Sequence, residues 1–282
     1  MKHILITGAN SYIGTSLEKW LNKNPKQFSV DTVDMISESW KERDFSKYDV
    51  VFHVAGIAHV KETKKNKELY YKINRDLAFE TAKKAKNEGI KQFIFLSSMS
   101  VYSIEEGIID ESTPLNPNTN YGKSKLQAEE LINSLNDKSF KVATIRPPMV
   151  YGKGCKGNYT KLSKLVLKSP IFPKIENERS MIYIDNLCEF VKIIIDDVSC
   201  GLFFPQNKEY VNISEMVKLI AEAHGKKILL TKIFNPLLNK LKLNLVKKAI
   251  NELVYDRRIS KDINMDKYNL IDFKSSIILT EK

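Results

Sequence analysis

Short apolar runs alternate with longer amphipathic segments over the first half of the chain. We predict strands at 3–7, 28–33, 49–54, 91–97 and 140–146, and helices between them at 12–23, 66–88 and 119–136. Alternation of this kind builds a parallel sheet with right-handed crossovers and helices on both faces. The sequence therefore predicts an α/β fold around a doubly wound parallel sheet.

The pattern changes after Tyr151, where glycine and proline interrupt residues 152–173 and helices then mix with short strands. We predict a first domain over 1–151 and a smaller C-terminal α/β lobe over 152–282. The apolar run that begins at Met181 is suited to a buried strand and helix. For this reason we assign residues 181–204 to the first domain, as a return of the chain to the main sheet.

The turn between the first predicted strand and helix is rich in small residues. Gly8 and Gly14 bracket this turn, and the helix begins near Tyr12. Such a turn presents backbone amides and a helix N-terminus to a pyrophosphate. Asp34 ends the next apolar run, about twenty residues past Gly14, where an acid hydrogen-bonds an adenosine ribose. These features predict a Rossmann-type domain that binds NAD(H) or NADP(H).

The candidate reactive groups are the side chains of a serine, a tyrosine and a lysine. Tyr121 and Lys125 stand four residues apart on a predicted helix, and Ser98 follows the apolar run FIFLS. A phenol is a poor base at neutral pH because its ordinary pKa is about 10, and an ammonium one helical turn away lowers that pKa. The serine hydroxyl can hold the substrate oxygen whose proton the tyrosine moves. The three residues predict alcohol–ketone interconversion with a nicotinamide cofactor.

In these motifs the chain resembles the extended short-chain dehydrogenase/reductases, in the nucleotide-sugar epimerase/dehydratase branch that includes bacterial capsule and O-antigen enzymes. The resemblance is strongest from Met1 to Asp185. The family pattern T-G-x-x-G-x-x-G runs from Thr7 to Gly14, with Ser11 in place of the middle glycine. The side chain of Ser11 would approach the cofactor, so we expect weaker binding or a shifted loop rather than loss of binding.

The resemblance implies a role for each residue that matches a family motif. The implied catalytic residues are Ser98, Tyr121 and Lys125. The implied cofactor contacts are Gly8, Ser11, Tyr12, Ile13, Gly14, Asp34, Asp44, Phe45, Val54, Ala55, Gly56, Asn74, Ser97, Tyr121, Lys125 and Pro147. Among these, Asp44 and Phe45 would frame the adenine, Asn74 would support Lys125 through water, and Pro147 would pack on the nicotinamide.

The resemblance also implies contacts to a UDP-sugar. These are Ser98, Met149, Asn158, Arg179 and either Arg257 or Arg258. The arginines would meet the diphosphate, because a guanidinium matches the geometry of phosphate oxygens. For Arg257 and Arg258, a surface salt bridge is the alternative interpretation.

Two reactions at C4 of the sugar agree with the resemblance. Met99 and Ser100 occupy positions where related dehydratases have an acidic pair, so dehydration is not expected. We favour reduction of a UDP-4-keto-6-deoxy-N-acetylhexosamine. The alternative is 4-epimerisation of UDP-glucose or UDP-N-acetylglucosamine through a transient 4-keto sugar. More distant alternatives are a reductase of a non-nucleotide carbonyl and a non-catalytic NAD(P)-sensing regulator.

The choice between NAD and NADP stays open in the sequence. Asp34 favours a free ribose 2′-hydroxyl, because its charge repels a 2′-phosphate. Lys41 and Arg43 lie nearby in the sequence and would soften that preference.

Composition bears on the other classes of protein. The chain has 282 residues and a net charge of +11, but its lysines are spread along the sequence without the interleaved aromatics of a single-strand nucleic-acid platform. The three cysteines (Cys155, Cys188 and Cys200) show no C-x-x-C spacing and the histidines do not cluster with them. We therefore expect reduced thiols, no metal site and no nucleic-acid partner.

No run is apolar enough for a membrane span, and no signal peptide is recognised, so we expect a cytoplasmic protein. We also expect a homodimer. Residues 237–254 combine helical apolar spacing with lysines. We interpret this segment as a helix packed over the C-terminal lobe, with peripheral membrane contact as the alternative. His59 is interpreted as a loop histidine beside the cofactor.

Overall fold

The computed structural model describes residues 1–58, 60, 62–233 and 251–282, apart from the side chain of Lys64. His59 and residues 237–250 of the lysine-rich segment lie outside this description, so the predictions for them stay predictions. The described residues form two compact units. Unit 1 comprises Met1–Ser103, Thr113–Pro147 and Leu187–Pro205, and unit 2 comprises Ile104–Ser112, Pro148–Asn186 and Gln206–Lys282.

In chain order the strands are β1 (Lys2–Thr7), β2 (Phe28–Val33), β3 (Val50–His53), β4 (Gln92–Leu96), β5 (Gly107–Ile109), β6 (Lys141–Ile145), β7 (Met149–Tyr151), β8 (Ile171–Pro173), β9 (Met181–Tyr183), β10 (Gly201–Phe203), β11 (Leu229–Thr231) and β12 (Leu253–Tyr255). The α-helices are α1 (Tyr12–Leu21), α2 (Lys67–Tyr70), α3 (Leu77–Asn87), α4 (Asn120–Asn133), α5 (Asn158–Lys168), α6 (Ile184–Asp196), α7 (Ile213–Ala223), α8 (Met265–Tyr268) and α9 (Phe273–Glu281). A π-helical turn, Tyr71–Asp76, joins α2 to α3.

Unit 1 is built on a six-stranded parallel sheet in the order β2-β1-β3-β4-β6-β10. Ile4, Leu5 and Ile6 of β1 are fully buried, as expected for a parallel strand that is covered on both faces. The predicted α/β fold with a parallel sheet is therefore confirmed, and smaller sheets accompany it in unit 2.

Small side chains allow the helices of unit 1 to lie close to the sheet. Ala78, Ala82 and Ala85 of α3 and Ala128 of α4 belong to one buried apolar cluster with Phe93 of β4. Because α4 contains both Tyr121 and Lys125, this packing places the predicted active-site helix against the middle of the sheet.

Unit 2 contains three two-stranded parallel sheets, which pair β5 with β12, β7 with β9, and β8 with β11. The division differs from the predicted domains mainly in three places, the first of which is residues 148–151, which belong to unit 2. Residues 104–112 belong to unit 2, because β5 pairs with β12. Residues 181–186 also belong to unit 2, because β9 pairs with β7; only the part from Leu187 returns to unit 1, where β10 joins the main sheet.

None of the described helices combines the length and the apolar character that a membrane span requires.

Candidate active site

Close backbone contact shapes the turn between β1 and α1. Gly8 has a φ of 86°, and a Cβ at this position would lie 2.9 Å from the Cα of Ala55. Only glycine tolerates both the conformation and the approach. Ser11 caps α1, since its Oγ accepts a hydrogen bond from the Gly14 N–H at 3.2 Å. The Gly14 N–H is thus bonded to Ser11 and is not available to an anion at this helix terminus. This is a physical reason to expect weaker cofactor binding.

Asp34 directly follows β2 and is exposed, with its Oδ1 accepting a hydrogen bond from the Ile36 N–H at 2.9 Å. Arg43 has other partners: its guanidinium donates to the Asp31 carboxylate at 3.0 Å and to the Tyr48 hydroxyl at 2.6 Å. The hydrogen bond from Tyr48 is the main cause of the lowered pKa of Asp31. The carboxylate that faces solvent at the end of β2 is therefore Asp34, and the nearby guanidinium is neutralised by Asp31.

The acidic–apolar pair after β2, Asp44 and Phe45, is divided between the surface and the core. Phe45 is fully buried in the core, and its N–H donates to the Glu88 carboxylate at 2.5 Å. Its side chain packs inside unit 1, and its predicted contact with the adenine stays a prediction. Asp44 is exposed, and its Oδ1 accepts a hydrogen bond from the Ser46 N–H at 2.8 Å.

Gly56, Asn74 and Lys125 come together at the carboxyl ends of β3 and β4. A Cβ on Gly56 would lie 2.9 Å from Asn74 Oδ1 and 3.5 Å from Lys125 Nζ. Asn74 is fully buried in the π-helical turn, and its Oδ1 accepts a hydrogen bond from the Ile57 N–H at 2.9 Å. Turns of this type are frequent at functional sites. Lys125 Nζ donates to the Leu96 carbonyl at 2.8 Å.

The Ser98 hydroxyl lies close enough to the Tyr121 phenol to act on its pKa as a hydrogen-bonding group. Ser98 also caps the short turn Met99–Val101, with its Oγ accepting from the Ser100 N–H at 3.1 Å. Gly122 allows the first turn of α4 to approach this segment, because a Cβ there would lie 2.5 Å from the Ser100 carbonyl oxygen. The glycine after Tyr121 therefore sets the distance between the two hydroxyl-bearing segments.

Burial dominates the electrostatics of this group. It raises the pKa of Tyr121, and the hydrogen bond with Ser98 opposes this shift. Burial also lowers the pKa of Lys125 to about 8, against the opposing effect of the Glu129 carboxylate. The predicted lowering of the phenol pKa by Lys125 stays a prediction; the Lys125 ammonium donates to the Leu96 carbonyl.

A buried ion pair lies next to Lys125. The guanidinium of Arg146 donates to both oxygens of Glu129, through Nε at 3.0 and 3.2 Å and through Nη2 at 2.5 Å. The Arg146 and Glu129 side chains are 6% and 3% exposed. Arg146 Nη1 also donates to the Tyr102 hydroxyl at 2.8 Å, and the Ser97 hydroxyl donates to Glu129. Ser97, predicted as a cofactor contact, is thus directed into this network.

The remaining predicted cofactor residues are placed as follows. Tyr12 and Ile13 begin α1, Val54 directly follows β3, and Pro147 is buried two residues past β6. No contact of the structure tests their predicted roles.

The predicted substrate residues other than Ser98 belong to unit 2. Arg179 is half-buried, burial lowers its pKa, and its Nη1 donates to the Asn251 carbonyl. Arg257 is exposed, lies 4.6 Å from the ring centre of Tyr210 and donates to a backbone carbonyl. Arg258 is paired with Asp256 at 2.6 Å, as the salt-bridge interpretation predicted. Arg258 thus has a carboxylate partner, whereas Arg257 donates to a carbonyl, so Arg257 is the better diphosphate candidate of the two.

Met149 lies in β7, paired with Met181, and Asn158 is the first residue of α5. Their predicted contacts with a sugar stay predictions.

Two acidic residues of the site were missed by the sequence analysis. Glu129 lies one helical turn after Lys125, on the buried face of α4. Glu62 accepts hydrogen bonds from the backbone of Tyr121 and Asn120 at the start of α4. The position of Glu129 among buried helix residues is a sequence signal that could have found it, whereas nothing local marks Glu62.

The parallel sheet, the glycine turn before α1, the acid after β2 and the Ser98–Tyr121–Lys125 group together define the short-chain dehydrogenase/reductase class of NAD(P)-dependent enzymes. The residues present fit a dinucleotide, because the backbone approach at Gly8 and the N-terminus of α1 leave room where a side chain would otherwise lie. The pattern of the NAD dependent epimerase/dehydratase family matches residues 4–202. The chain belongs to this family.

Curated relatives agree with the family. A UDP-glucose 4-epimerase of Vibrio cholerae is 32% identical over 253 residues, covering 80% of this chain and 76% of that protein. An N-acetyl-α-D-glucosaminyl-diphospho-ditrans,octacis-undecaprenol 4-epimerase of Escherichia coli O157:H7 is 27% identical over 245 residues, covering 80% and 73%. The predicted family and enzyme class are confirmed.

Solved structures agree with the fold. The UDP-glucuronic acid 4-epimerase of Bacillus cereus in complex with NAD superposes with a TM-score of 0.76 at 20% identity, covering 99% of this chain and 97% of that one. Reductases, one of them with NADP, also share the fold.

Proposed function

We propose that the protein is an NAD(H)-dependent 4-epimerase of a UDP-sugar. The placement of Ser98 beside the Tyr121 phenol, with Lys125 Nζ at the lip formed by Gly56, is the observation that supports C4 chemistry. Epimerisation is favoured over one-way reduction because two curated relatives that each align with 80% of this chain are named as 4-epimerases. The reduction that the sequence analysis favoured becomes the alternative outcome of the test.

The proposed mechanism uses the two hydroxyls at one substrate oxygen. Tyr121 removes the proton from O4 while Ser98 donates a hydrogen bond to that oxygen. A nicotinamide held at this site would supply hydride exchange with C4 in both directions, with return of the hydride to the opposite face of the sugar. Tyr121 then returns the proton to O4, so that protons and electrons balance over the cycle and only the configuration at C4 changes.

Lys125 is proposed to hold the cofactor ribose through its ammonium group. Its Nζ already lies at the lip formed by Gly56 and Asn74. With a pKa of about 8, most of the lysine is charged at neutral pH. The Glu129 carboxylate supports that charge, because its effect opposes the desolvation of Lys125.

NAD(H) is proposed over NADP(H). Asp34 is exposed at the end of β2, where it would repel a 2′-phosphate and accept hydrogen bonds from the free hydroxyls. The two cations that could soften this preference have carboxylate partners within the chain: Arg43 bonds Asp31 at 3.0 Å and Lys41 lies 3.3 Å from Glu38. Each cation is therefore partly neutralised and would attract a 2′-phosphate less strongly.

The diphosphate of the substrate is proposed to meet Arg179 and Arg257 in unit 2. Arg179 donates to the Asn251 carbonyl and Arg257 to the Lys208 carbonyl. A neutral carbonyl does not cancel the charge of a guanidinium. Arg179→Ala should raise the UDP-sugar dissociation constant and leave NAD affinity unchanged. An unchanged UDP-sugar dissociation constant would remove Arg179 from the proposal.

The function is tested by direct assay of the purified protein with NAD⁺. UDP-glucose, UDP-N-acetylglucosamine and N-acetylglucosaminyl-diphospho-undecaprenol are each followed for inversion at C4 by proton NMR. Inversion of a UDP-sugar, abolished by Tyr121→Phe without loss of NAD binding, supports the proposal. If only the lipid-linked sugar is inverted, the substrate is a lipid-linked sugar and the proposed UDP-sugar is wrong.

A second assay supplies NADH with a UDP-4-keto-6-deoxy-N-acetylhexosamine. Stoichiometric loss of NADH there, with no inversion in the first assay, would replace the epimerase by the 4-keto reductase. Activity that survives Tyr121→Phe would mean that the base has been wrongly assigned.

A further inference from the structure

The carboxylate of Glu62 binds the first turn of α4 from outside the helix. Its Oε1 accepts the Tyr121 N–H at 3.0 Å, and its Oε2 accepts the Asn120 N–H at 3.1 Å and the Asn120 Nδ2 at 3.0 Å. The usual capping residue, Thr119, accepts only the Gly122 N–H, at 3.0 Å. Glu62 therefore satisfies amides at this helix terminus that its own capping side chain does not bind.

Contacts on both sides hold Glu62 in place. Before it, the Val60 carbonyl accepts a hydrogen bond from the hydroxyl of Tyr70 at 2.7 Å, and Tyr70 is fully buried. After it, the Thr63 N–H donates to Asn66 Oδ1 at 2.8 Å in a reciprocal cap of the next short helix. These hydrogen bonds at Val60 and Thr63 favour the position from which the carboxylate meets α4.

We propose that Glu62 is a positioning residue for Tyr121, which fixes the first turn of α4 so that the phenol stays on Ser98. Hydrogen bonds to a charged acceptor are roughly twice as strong as neutral ones, and a carboxylate is favoured at a helix N-terminus. The inference deepens the proposed function, because its kinetic consequence depends on Tyr121 acting on the sugar.

The packing around Tyr121 explains why this contact affects the reacting atoms. Gly122 lies against the Ser100 carbonyl, so the first turn of α4 and the segment that bears Ser98 are in direct contact. A small shift of that turn changes the distance between the two hydroxyls. Misplacement of a reacting group by about 1 Å can reduce a rate by about 100-fold.

The test compares Glu62→Ala and Glu62→Gln with a matched control, Glu130→Gln. Glu130 is exposed on the same helix, so its variant removes one negative charge and leaves the terminus of α4 intact. Glu62→Ala should lower kcat by about 100-fold, with KM and the NAD dissociation constant within twofold of wild type. Glu62→Gln keeps one carbonyl oxygen that can accept the Tyr121 N–H, and should lower kcat by about 10-fold. Glu130→Gln should match the wild type.

A second readout does not depend on turnover. In protein labelled with ¹⁵N-tyrosine, the Tyr121 amide should exchange with solvent faster in Glu62→Ala than in wild type, because it loses its acceptor. Tyrosine amides inside the sheet and helices, compared in the same spectra, report any global loss of stability. The resonance of Tyr121 is assigned by its absence in Tyr121→Phe.

Each outcome decides the proposal. Wild-type kcat in Glu62→Ala overturns it, and so does unchanged exchange of the Tyr121 amide. A loss of kcat matched by faster exchange of all tyrosine amides, or by an equal loss of NAD affinity, would reduce Glu62 to a structural role and also overturn it. If the wild type turns over no sugar, the proposed function fails, and the Tyr121 amide alone decides whether Glu62 anchors α4.

Discussion

Replacing Glu129 by glutamine should destabilise the protein strongly, although the change removes no volume. The carboxylate accepts hydrogen bonds from Arg146 through Nε and Nη2 and from the Ser97 hydroxyl. Both members of the ion pair are nearly inaccessible, at 6% and 3% exposure. Glutamine retains one acceptor oxygen but directs an NH₂ group at donors of the guanidinium. Arg146 would thus stay buried with its charge uncompensated.

Removal of one partner from a buried ion pair costs about 3–5 kcal/mol. For a chain of this size, about 2 °C of melting temperature corresponds to each kcal/mol. We therefore expect Glu129→Gln to melt about 6–10 °C below the wild type. Glu130→Gln is a closely matched control, because the same substitution is made at the next residue of the same helix, where the side chain is exposed.

A double variant separates the cost of the unpaired charge from other effects. Replacing a buried ion pair by apolar groups of similar size is often neutral. Glu129→Gln combined with Arg146→Met should therefore be more stable than Glu129→Gln alone. The reasoning is refuted if Glu129→Gln melts within about 1 °C of Glu130→Gln, since the pair would then be worth less than about 1 kcal/mol.

Three further predictions concern charge and backbone conformation. The turnover rate should fall above a pH of about 8 as Lys125 loses its proton. In Glu129→Gln this fall should begin at lower pH, because Glu129 raises the pKa of the lysine. A fall at the same pH in both proteins contradicts the assignment to Lys125. Asp34→Ser should raise the affinity for NADP relative to NAD by about 10-fold, measured as a ratio of dissociation constants, since it removes the repulsion of a 2′-phosphate. Val198 adopts a left-handed conformation with a φ of 48° after α6; Val198→Gly should stabilise the protein by about 1 kcal/mol in thermal unfolding, with a smaller gain for Val198→Ala.

The features that could be predicted from the sequence are those whose residues lie close together along the chain. Each strand of the main sheet except β10 was found as an apolar run, and α4 was found because Tyr121 and Lys125 share one helix face. The turn at Gly8 and the acid at Asp34 follow strand ends, where a parallel sheet binds ligands. In each case the information lies within about one βα unit, so pattern and spacing suffice.

The features that could not be predicted depend on contacts between distant segments. Gly107–Ile109 was expected in the first domain, but it pairs with Leu253–Tyr255 near the other end of the chain. Glu62 reaches the start of α4 across 58 residues of sequence. The family pattern assigns Phe45 to the cofactor, and only the structure shows that it is buried in the core. No local periodicity encodes any of these three contacts.

Glu129 lies between these two cases and shows what a sequence pattern can still reveal. Lys125, Ala128, Glu129 and Ile132 are all buried, and their spacing places them on one face of α4. A charged residue on a buried face needs a partner of opposite charge, because an unpaired charge in the interior is costly. Lys125 and Glu129, two opposite charges one turn apart on such a face, therefore predict a buried electrostatic cluster. Its third member, Arg146, directly follows β6, and only the structure reveals it. Glu129 and Glu130 are the same residue type in adjacent positions, so the helical face, and not the residue type, determines which one supports the active-site lysine.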